Sequence, residues 1–212
     1  MPSIRLKRGG ARNCASRRSS QLRRRDCQKL IDASLAAWEA GMPLNRFITI
    51  AWGRGGISAD DAVDATGKFI RLAREWLRAR GSAMPWAWVQ EGSQRFGQHA
   101  HILLHIPPHL SPIFRSMPLR WTKAILPGRY VAGVLQTQRL NCAGSNNTPA
   151  YEAELIGKVH YMLKCAPIEL ESEMRMAGRG YKQWGQSCVV VGKRAGVWQG
   201  WRAAARKTLK HY

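Results

Sequence analysis

The chain has 212 residues, 45% of them hydrophobic and 22% charged, which suits one globular domain with a core of its own. Thirty-four Lys and Arg face 13 Asp and Glu, a formal net charge of +21, so the surface repels itself and seeks a polyanion, nucleic acid first and an anionic membrane second. There is no run of about 18 apolar residues, which excludes a spanning helix, and the five cysteines form no CxxC pair, which argues for free thiols in a reducing compartment rather than a disulfide framework or a cysteine-rich zinc site.

Residues 1–25 carry nine arginines and lysines, among them Arg23, Arg24 and Arg25, with no acid before Asp26. Such a block reads as a disordered arm that grips nucleic acid; an organelle-targeting peptide is the rival reading. A helix is expected over 20–40, ending at Gly41 and Pro43. Phe47–Trp52 is β-branched and aromatic and predicts a strand. After the Gly53–Gly56 turn, Ser58 offers an N-cap, and Val63, Phe69, Ile70, Ala73, Trp76 and Leu77 recur at helical spacing. Strands are expected over 85–91 and 98–106, a helix over 111–125, a strand over 131–139 and a helix from Pro149 to Cys165, after a polar loop at Asn141–Thr148. The tail from Arg175 on has no acidic residue and is expected to be helical after Gly196. The resulting division is a basic arm (1–25), a catalytic domain (26–175) and a basic C-terminal extension (176–212). The order of elements suits an α+β layer, an antiparallel sheet with helices mainly on one face and the other face free for a ligand.

In the run His99-Ala100-His101-Ile102-Leu103-Leu104-His105-Ile106, strand alternation sends Ala100, Ile102, Leu104 and Ile106 to one face and three of the six histidines to the other. Imidazoles at i and i+2 can reach one metal ion. Glu91 is the only acid near them, since none occurs from Gly92 to Tyr151. If the two strands form a hairpin, Glu91 lies opposite His99, with Cβ atoms about 4.5–5.5 Å apart. Two imidazoles and one carboxylate leave coordination positions open and suit Mn, Fe, Zn or Mg. The plainer alternative for Glu91 is a turn carboxylate paired with Arg95. His105 shares the face as a spare ligand or phosphate contact.

On the helix expected over 149–165, Tyr151, Leu155, Ile156, Val159, Met162 and Leu163 fall on one side. Glu154, Gly157, Lys158, His160, Tyr161 and Lys164 fall on the other. Tyr161 is thus on the polar side, one turn from Lys164. A phenol beside a cation and a metal can serve as a covalent nucleophile. An exposed tyrosine with a solvated lysine is the alternative.

Taken in order, three segments resemble the histidine–hydrophobe–histidine (HUH) endonucleases, and among them the rolling-circle replication initiators of plasmids and single-stranded phages. They are Phe47–Trp52, then Val89-Gln90-Glu91-Gly92 with His99-Ala100-His101-Ile102-Leu103-Leu104, then His160-Tyr161-Met162-Leu163-Lys164. The resemblance spans about 46–165. It implies the family's ferredoxin- or RRM-like sheet with the histidines on its central strand. It implies Mg²⁺ or Mn²⁺ held by His99, His101 and Glu91, Tyr161 as nucleophile and Lys164 as its helper. Relaxases usually place the tyrosine before the histidines, so the order here favours an initiator. Cys165 stands where two-tyrosine members carry a second tyrosine, and Ala100 is smaller than the usual residue between the histidines.

The implied reaction is nicking and joining of single-stranded or hairpin origin DNA through a 5′-phosphotyrosine. With no GxxxxGK[ST] sequence, a host helicase and polymerase are the implied partners. The arm, Lys158 and the Gly192-Lys193-Arg194 turn are the expected phosphate contacts, and some of the tryptophans are numerous enough to stack on bases. A bacterial cytoplasm, with no membrane partner, is the expected location. Rival readings are a transposase or relaxase with the same chemistry, an inactive DNA-binding regulator, and a metal-dependent oxygenase, the last leaving the charge unexplained.

Overall fold

The computed structural model describes residues 17–140, 148–170, 172–174 and 189–202. The elements in chain order are β1 (Arg18–Ser19), α1 (Arg24–Glu39), β2 (Arg46–Ile50), α2 (Ala62–Arg78), β3 (Trp86–Ser93) and β4 (Gly97–Leu104). There follow α3 (Ser111–Phe114), α4 (Met117–Ile125), β5 (Leu135–Arg139), α5 (Thr148–Met162), β6 (Val190–Val191) and β7 (Ala195–Val197). Among the described residues, five strands form one antiparallel sheet in the order β5-β2-β4-β3-β7, and β1 pairs with β6. The chain is therefore α+β, with the histidine strand β4 at the centre of the sheet.

Alternation within each strand divides the interior in two. On one face Ile48, Ile50, Trp86, Trp88, Ile102 and Leu104 pack under α2 and α4, against Phe69, Leu77 and Trp121. On the other face Phe47, Ala87, Val89, Leu103 and Ala195 pack under α1 and α5, against Leu30, Ala37, Leu155 and Met162. The expected arrangement, with helices mainly on one face and an open sheet, is corrected here: both faces are covered. The reason lies in β3 and β4, whose Trp-Ala-Trp-Val and Ile-Leu-Leu runs are apolar on both sides and need two layers of cover. Each large side chain taken fully out of water contributes about 1.5–3 kcal/mol.

A buried relay ties α2 to the sheet. The Trp52 indole donates to Thr66 Oγ1 (2.8 Å), and the Thr66 hydroxyl lies 2.8 Å from Gln90 Oε1 and 3.0 Å from the Ala62 carbonyl. At the other end of the sheet the β3–β4 hairpin closes through a three-residue turn into Gly97, whose φ is +61°. Gly53, in the turn after β2, backs directly onto it: a Cβ at Gly53 would stand 2.8 Å from Gly97 Cα and 2.9 Å from Gln98 N. Only a residue without a side chain permits that approach.

Several expectations change. Residues 17–25 are not a free arm: Arg18 and Ser19 pair with Val191 and Val190, Leu22 is buried, and α1 begins at Arg24. The part of that arm over 1–16 lies outside the described residues. Of the extension expected over 176–212, residues 189–202 are not separate, because β7 is an edge strand of the main sheet; 176–188 and 203–212 lie outside the described residues. Residues 195–197 pair with Val89, Trp88 and Ala87, and Gly196 lets the Trp88 indole come close, a Cβ there standing 2.6 Å from its Nε1; of the helix expected after Gly196, residues 201–202 are helical and 203–212 lie outside the described residues. The helix expected over 111–125 is two helices, broken at residues 115–116, with Pro118 in the first turn of the second. The strand expected from 131 begins at Leu135, after the turn at Gly133. The polar loop lies outside the described residues over 141–147.

Candidate metal centre

Pairing in the hairpin sets Glu91 directly opposite His99, as the sequence spacing predicts. His101 follows on the same face of β4, flanked by Val89 on β3 and Thr49 on β2. Three donor atoms converge: Glu91 Oε2 lies 3.2 Å from His99 Nε2 and 3.4 Å from His101 Nε2. Among the described residues, Glu91, His99 and His101 form a group whose ligand atoms all lie within 4.8 Å of one another, and all three residues are buried.

The remaining ring nitrogens are fixed from behind. His99 Nδ1 lies 3.0 Å from the Gly97 carbonyl, which can only accept, so a neutral His99 carries its proton on Nδ1 and presents an Nε2 lone pair to the centre. His101 Nδ1 lies 2.9 Å from Thr49 Oγ1, and the Phe47 ring stacks on the imidazole at 5.5 Å. Partners of this kind orient metal-binding histidines. Burial pushes the His101 imidazole down, against the pull of Glu91, which favours the neutral ligand form. Burial alone would raise the Glu91 carboxyl, but the imidazoles of His101 and His99 and the Lys164 charge hold it well below the ordinary carboxylate range. Glu91 Oε1 is buried and makes no hydrogen bond among the described residues. Two imidazole nitrogens and an ionised carboxylate with a spare oxygen are a donor set that fits a divalent cation.

Tyr161 and Lys164 reach this group from α5 and the turn after it. The helix is seated by Tyr151, Leu155, Val159 and Met162, with the Tyr151 hydroxyl donating to the Leu44 carbonyl (3.1 Å). That seating turns Tyr161 onto the sheet: its ring stands 4.9 Å from the His101 ring and 6.0 Å from Phe47, edge to face in both cases. The polar side of the helix therefore meets the metal group rather than solvent alone, and Tyr161 is half-buried. Lys164 Nζ lies 2.7 Å from Glu91 Oε2, 3.4 Å from His101 Nε2 and 4.0 Å from the centre of the Tyr161 ring. Burial would lower this ammonium, but the Glu91 carboxylate and Tyr161 together outweigh it and the net shift is upward. Glu91 thus pairs with Lys164 and the histidines, not with Arg95.

Beside Tyr161 a cleft of about 350 Å³ opens toward the β5 edge, lined by Phe47, Thr49, Gln136, Gln138, Lys158 and Tyr161. Of the expected phosphate contacts, Lys158 belongs to this cleft and donates to Gln138 Oε1 (2.7 Å). Arg23 pairs with Asp26 and Arg24 with Glu173, while Arg25 is exposed on the first turn of α1; none of the three lines the cleft. Lys193 is exposed in the β6–β7 turn, its Nζ 5.9 Å from the Trp88 ring. Arg194 is a correction: it is buried, and its guanidinium donates to the Ser19 carbonyl (2.6 Å) and hydroxyl (3.1 Å), so it fastens β1 instead of meeting a phosphate. His105 stands outside the metal group, its Nδ1 2.7 Å from the Pro43 carbonyl, and His160 is buried outside it too. Trp52, Trp86, Trp88 and Trp121 are core residues.

Motif reading did not single out Gln136 and Gln138, and it took Phe47 and Thr49 only as part of the strand Phe47–Trp52, with no role at the site. Thr49 had a signal, a lone hydroxyl in an apolar strand, but its pairing with His101 depends on register between β2 and β4. No family model matches the chain, and neither a curated protein nor a solved structure matches it significantly.

Proposed function

We propose that the chain is a metal-dependent endonuclease that nicks and rejoins single-stranded DNA through Tyr161, in the manner of a rolling-circle replication initiator. The observation that carries the reading is the Tyr161 ring 4.9 Å from His101, beside a buried carboxylate–imidazole group, on a chain of net charge +21. Mg²⁺ or Mn²⁺ is the cofactor of this reading, held by Glu91, His99 and His101. Such an ion supplies charge stabilisation at a nonbridging phosphate oxygen.

The chain's own residues do the rest. The Tyr161 hydroxyl oxygen attacks phosphorus and gives up its proton to solvent. The bond from phosphorus to the 3′ oxygen breaks, and that oxygen leaves as a hydroxyl after taking a proton from water. The 5′ phosphate remains esterified to Tyr161, so the phosphodiester energy is conserved and the reverse attack reseals the strand. Lys164 keeps a positive charge against the phenol ring, where it favours the phenolate that forms as the proton leaves. Thr49 and Gly97 hold the two imidazoles in place.

The test mixes the full chain, Mn²⁺ and labelled single-stranded origin DNA, and looks for an adduct that survives denaturation. It should form, vanish with EDTA and be absent in Tyr161→Phe. His99→Ala with His101→Ala should abolish it and leave salt-sensitive DNA binding in place. An adduct retained by Tyr161→Phe would reject Tyr161 as the nucleophile.

A further inference from the structure

The rows of the sheet lead away from the metal group. His101 on β4, Thr49 on β2 and Gln136 on β5 are successive register partners, as are Leu103, Phe47 and Gln138. Directly paired residues project to the same face. The face that carries the metal group therefore continues, without a change of side, through Thr49 to Gln136 at the last strand of the sheet. Gln136 and Gln138 are exposed there. Tyr161 and Lys158, one turn apart on α5, line the cleft from the helix side. Tyr161 is the wall that this cleft shares with the metal group, since the same ring touches His101.

The cleft's chemistry narrows its occupant. Its volume lies at the lower end of the range for small-ligand sites, which suits one nucleotide unit rather than a long segment. Among the described residues it holds one cation, Lys158, whose ammonium lies 5.0 Å over the Phe47 ring and is positioned by Gln138 Oε1. It holds no carboxylate, so a phosphate meets no like charge among the lining residues. Gln138 is engaged by Lys158, which leaves the Gln136 carboxamide as the group best placed to read a ligand. A carboxamide offers a donor and an acceptor side by side, the pairing that matches the N6 and N7 edge of adenine.

We infer that this cleft is a base-reading subsite for the nucleotide next to the scissile phosphate, with Gln136 selecting its base, adenine by preference, and Lys158 binding the neighbouring phosphate. The inference rests on the nicking function proposed above for its orientation along the strand. It concerns binding, however, and is tested apart from the chemistry.

The probe is a library of single-stranded DNA with a randomised central segment, bound by the full chain carrying Tyr161→Phe, with retained strands sequenced. The Gln136 side chain should impose adenine at one position, enriched about tenfold or more over the other bases. Gln136→Ala should remove that enrichment while preferences elsewhere stay. Gln136→Glu should move it to cytosine, whose N4 amino group donates to a carboxylate; a merely structural glutamine would not give such an exchange. Lys158→Ala should weaken all sequences alike, by about tenfold, and lower the salt dependence. An adenine preference that follows Gln136, in a chain whose wild type forms no adduct, would keep the subsite and reject the nicking function. An adduct formed by the wild type, with a base preference unmoved by Gln136→Ala and Gln136→Glu, would reject the subsite and keep the function.

Discussion

Lys164 Nζ stands 2.7 Å from Glu91 Oε2 and 3.4 Å from His101 Nε2, beside the residues that would hold a divalent ion. Glu91 Oε1 is left open to an ion, but the Lys164 charge beside the same carboxylate opposes a second cation there. Lys164→Met should therefore bind Mn²⁺ about tenfold more tightly, a difference of ~1.4 kcal/mol, as read by electron paramagnetic resonance of the free ion. The same variant should lose adduct formation. Glu91→Gln should act in the opposite direction on affinity, weakening Mn²⁺ by about 100-fold. Cys27 makes a second prediction at this scale. It is fully buried on α1 and its thiol is pushed up to about 12, chiefly by burial and then by the Asp26 charge. Its raised value favours the protonated thiol in the folded state, so the stability it contributes is complete below pH about 9 and is lost as pH rises toward 12. Urea midpoints should fall across that window more steeply for the wild type than for Cys27→Ala. Glu91, His99, His101 and Tyr161 were legible one by one, because alternation and helical spacing fix their sides. The contact between Lys164 and Glu91 was not, since it joins a helix end to a hairpin 73 residues earlier (164 − 91).

The elements hold together through a few buried polar joints. Thr66 on α2 links the Trp52 indole, Gln90 on β3 and its own helix. Thr66→Val keeps the shape but strands the indole N–H and the Gln90 oxygen in an apolar interior. Stability should drop by about 1–3 kcal/mol in urea unfolding. Arg194 performs the matching service for β1 and β6. Arg194→Ala should also cost about 1–3 kcal/mol, and DNA affinity corrected for folding should stay where it was. Strong local patterns made most elements readable: the apolar stripe of α2, the alternation of β4 and the glycine-rich turns that bound them. Failures came where pairing is non-local. A two-residue strand such as β1 or β6 has no periodicity to detect, and β7 is three residues long with glycine in its middle. An apolar run such as β3 says that it is buried but not that both of its sides meet helices. Sequence reading therefore found the α+β class and missed the second helical layer.

Across the whole molecule, the excess of 21 positive charges has two consequences that pull apart. On the proposed function it would draw nucleic acid in from a distance, and it weakens the fold by self-repulsion, so added salt should stabilise the protein while loosening such complexes. For single-stranded DNA, the logarithm of affinity should fall linearly with the logarithm of salt concentration, by about 0.7 for each phosphate neutralised. Filter binding between about 50 and 300 mM KCl measures the slope; a nearly flat line would remove nucleic acid from the list of partners. Neither the charge nor the core could indicate from sequence where a strand would lie, because the cleft exists only once β2, β5 and α5 are assembled.

The contact between Gly53 and Gly97 adds a constraint of another kind. Two turns far apart in the sequence meet there with no side chain between them, two residues before His99. A methyl group at Gly53 would drive a wedge under the tip of the hairpin and swing Glu91 and His99 away from each other. The damage would fall on alignment more than on folding. On the proposed function, a protein altered in this way would still melt cooperatively and still bind DNA, yet it would have lost the fine spacing on which the adduct depends.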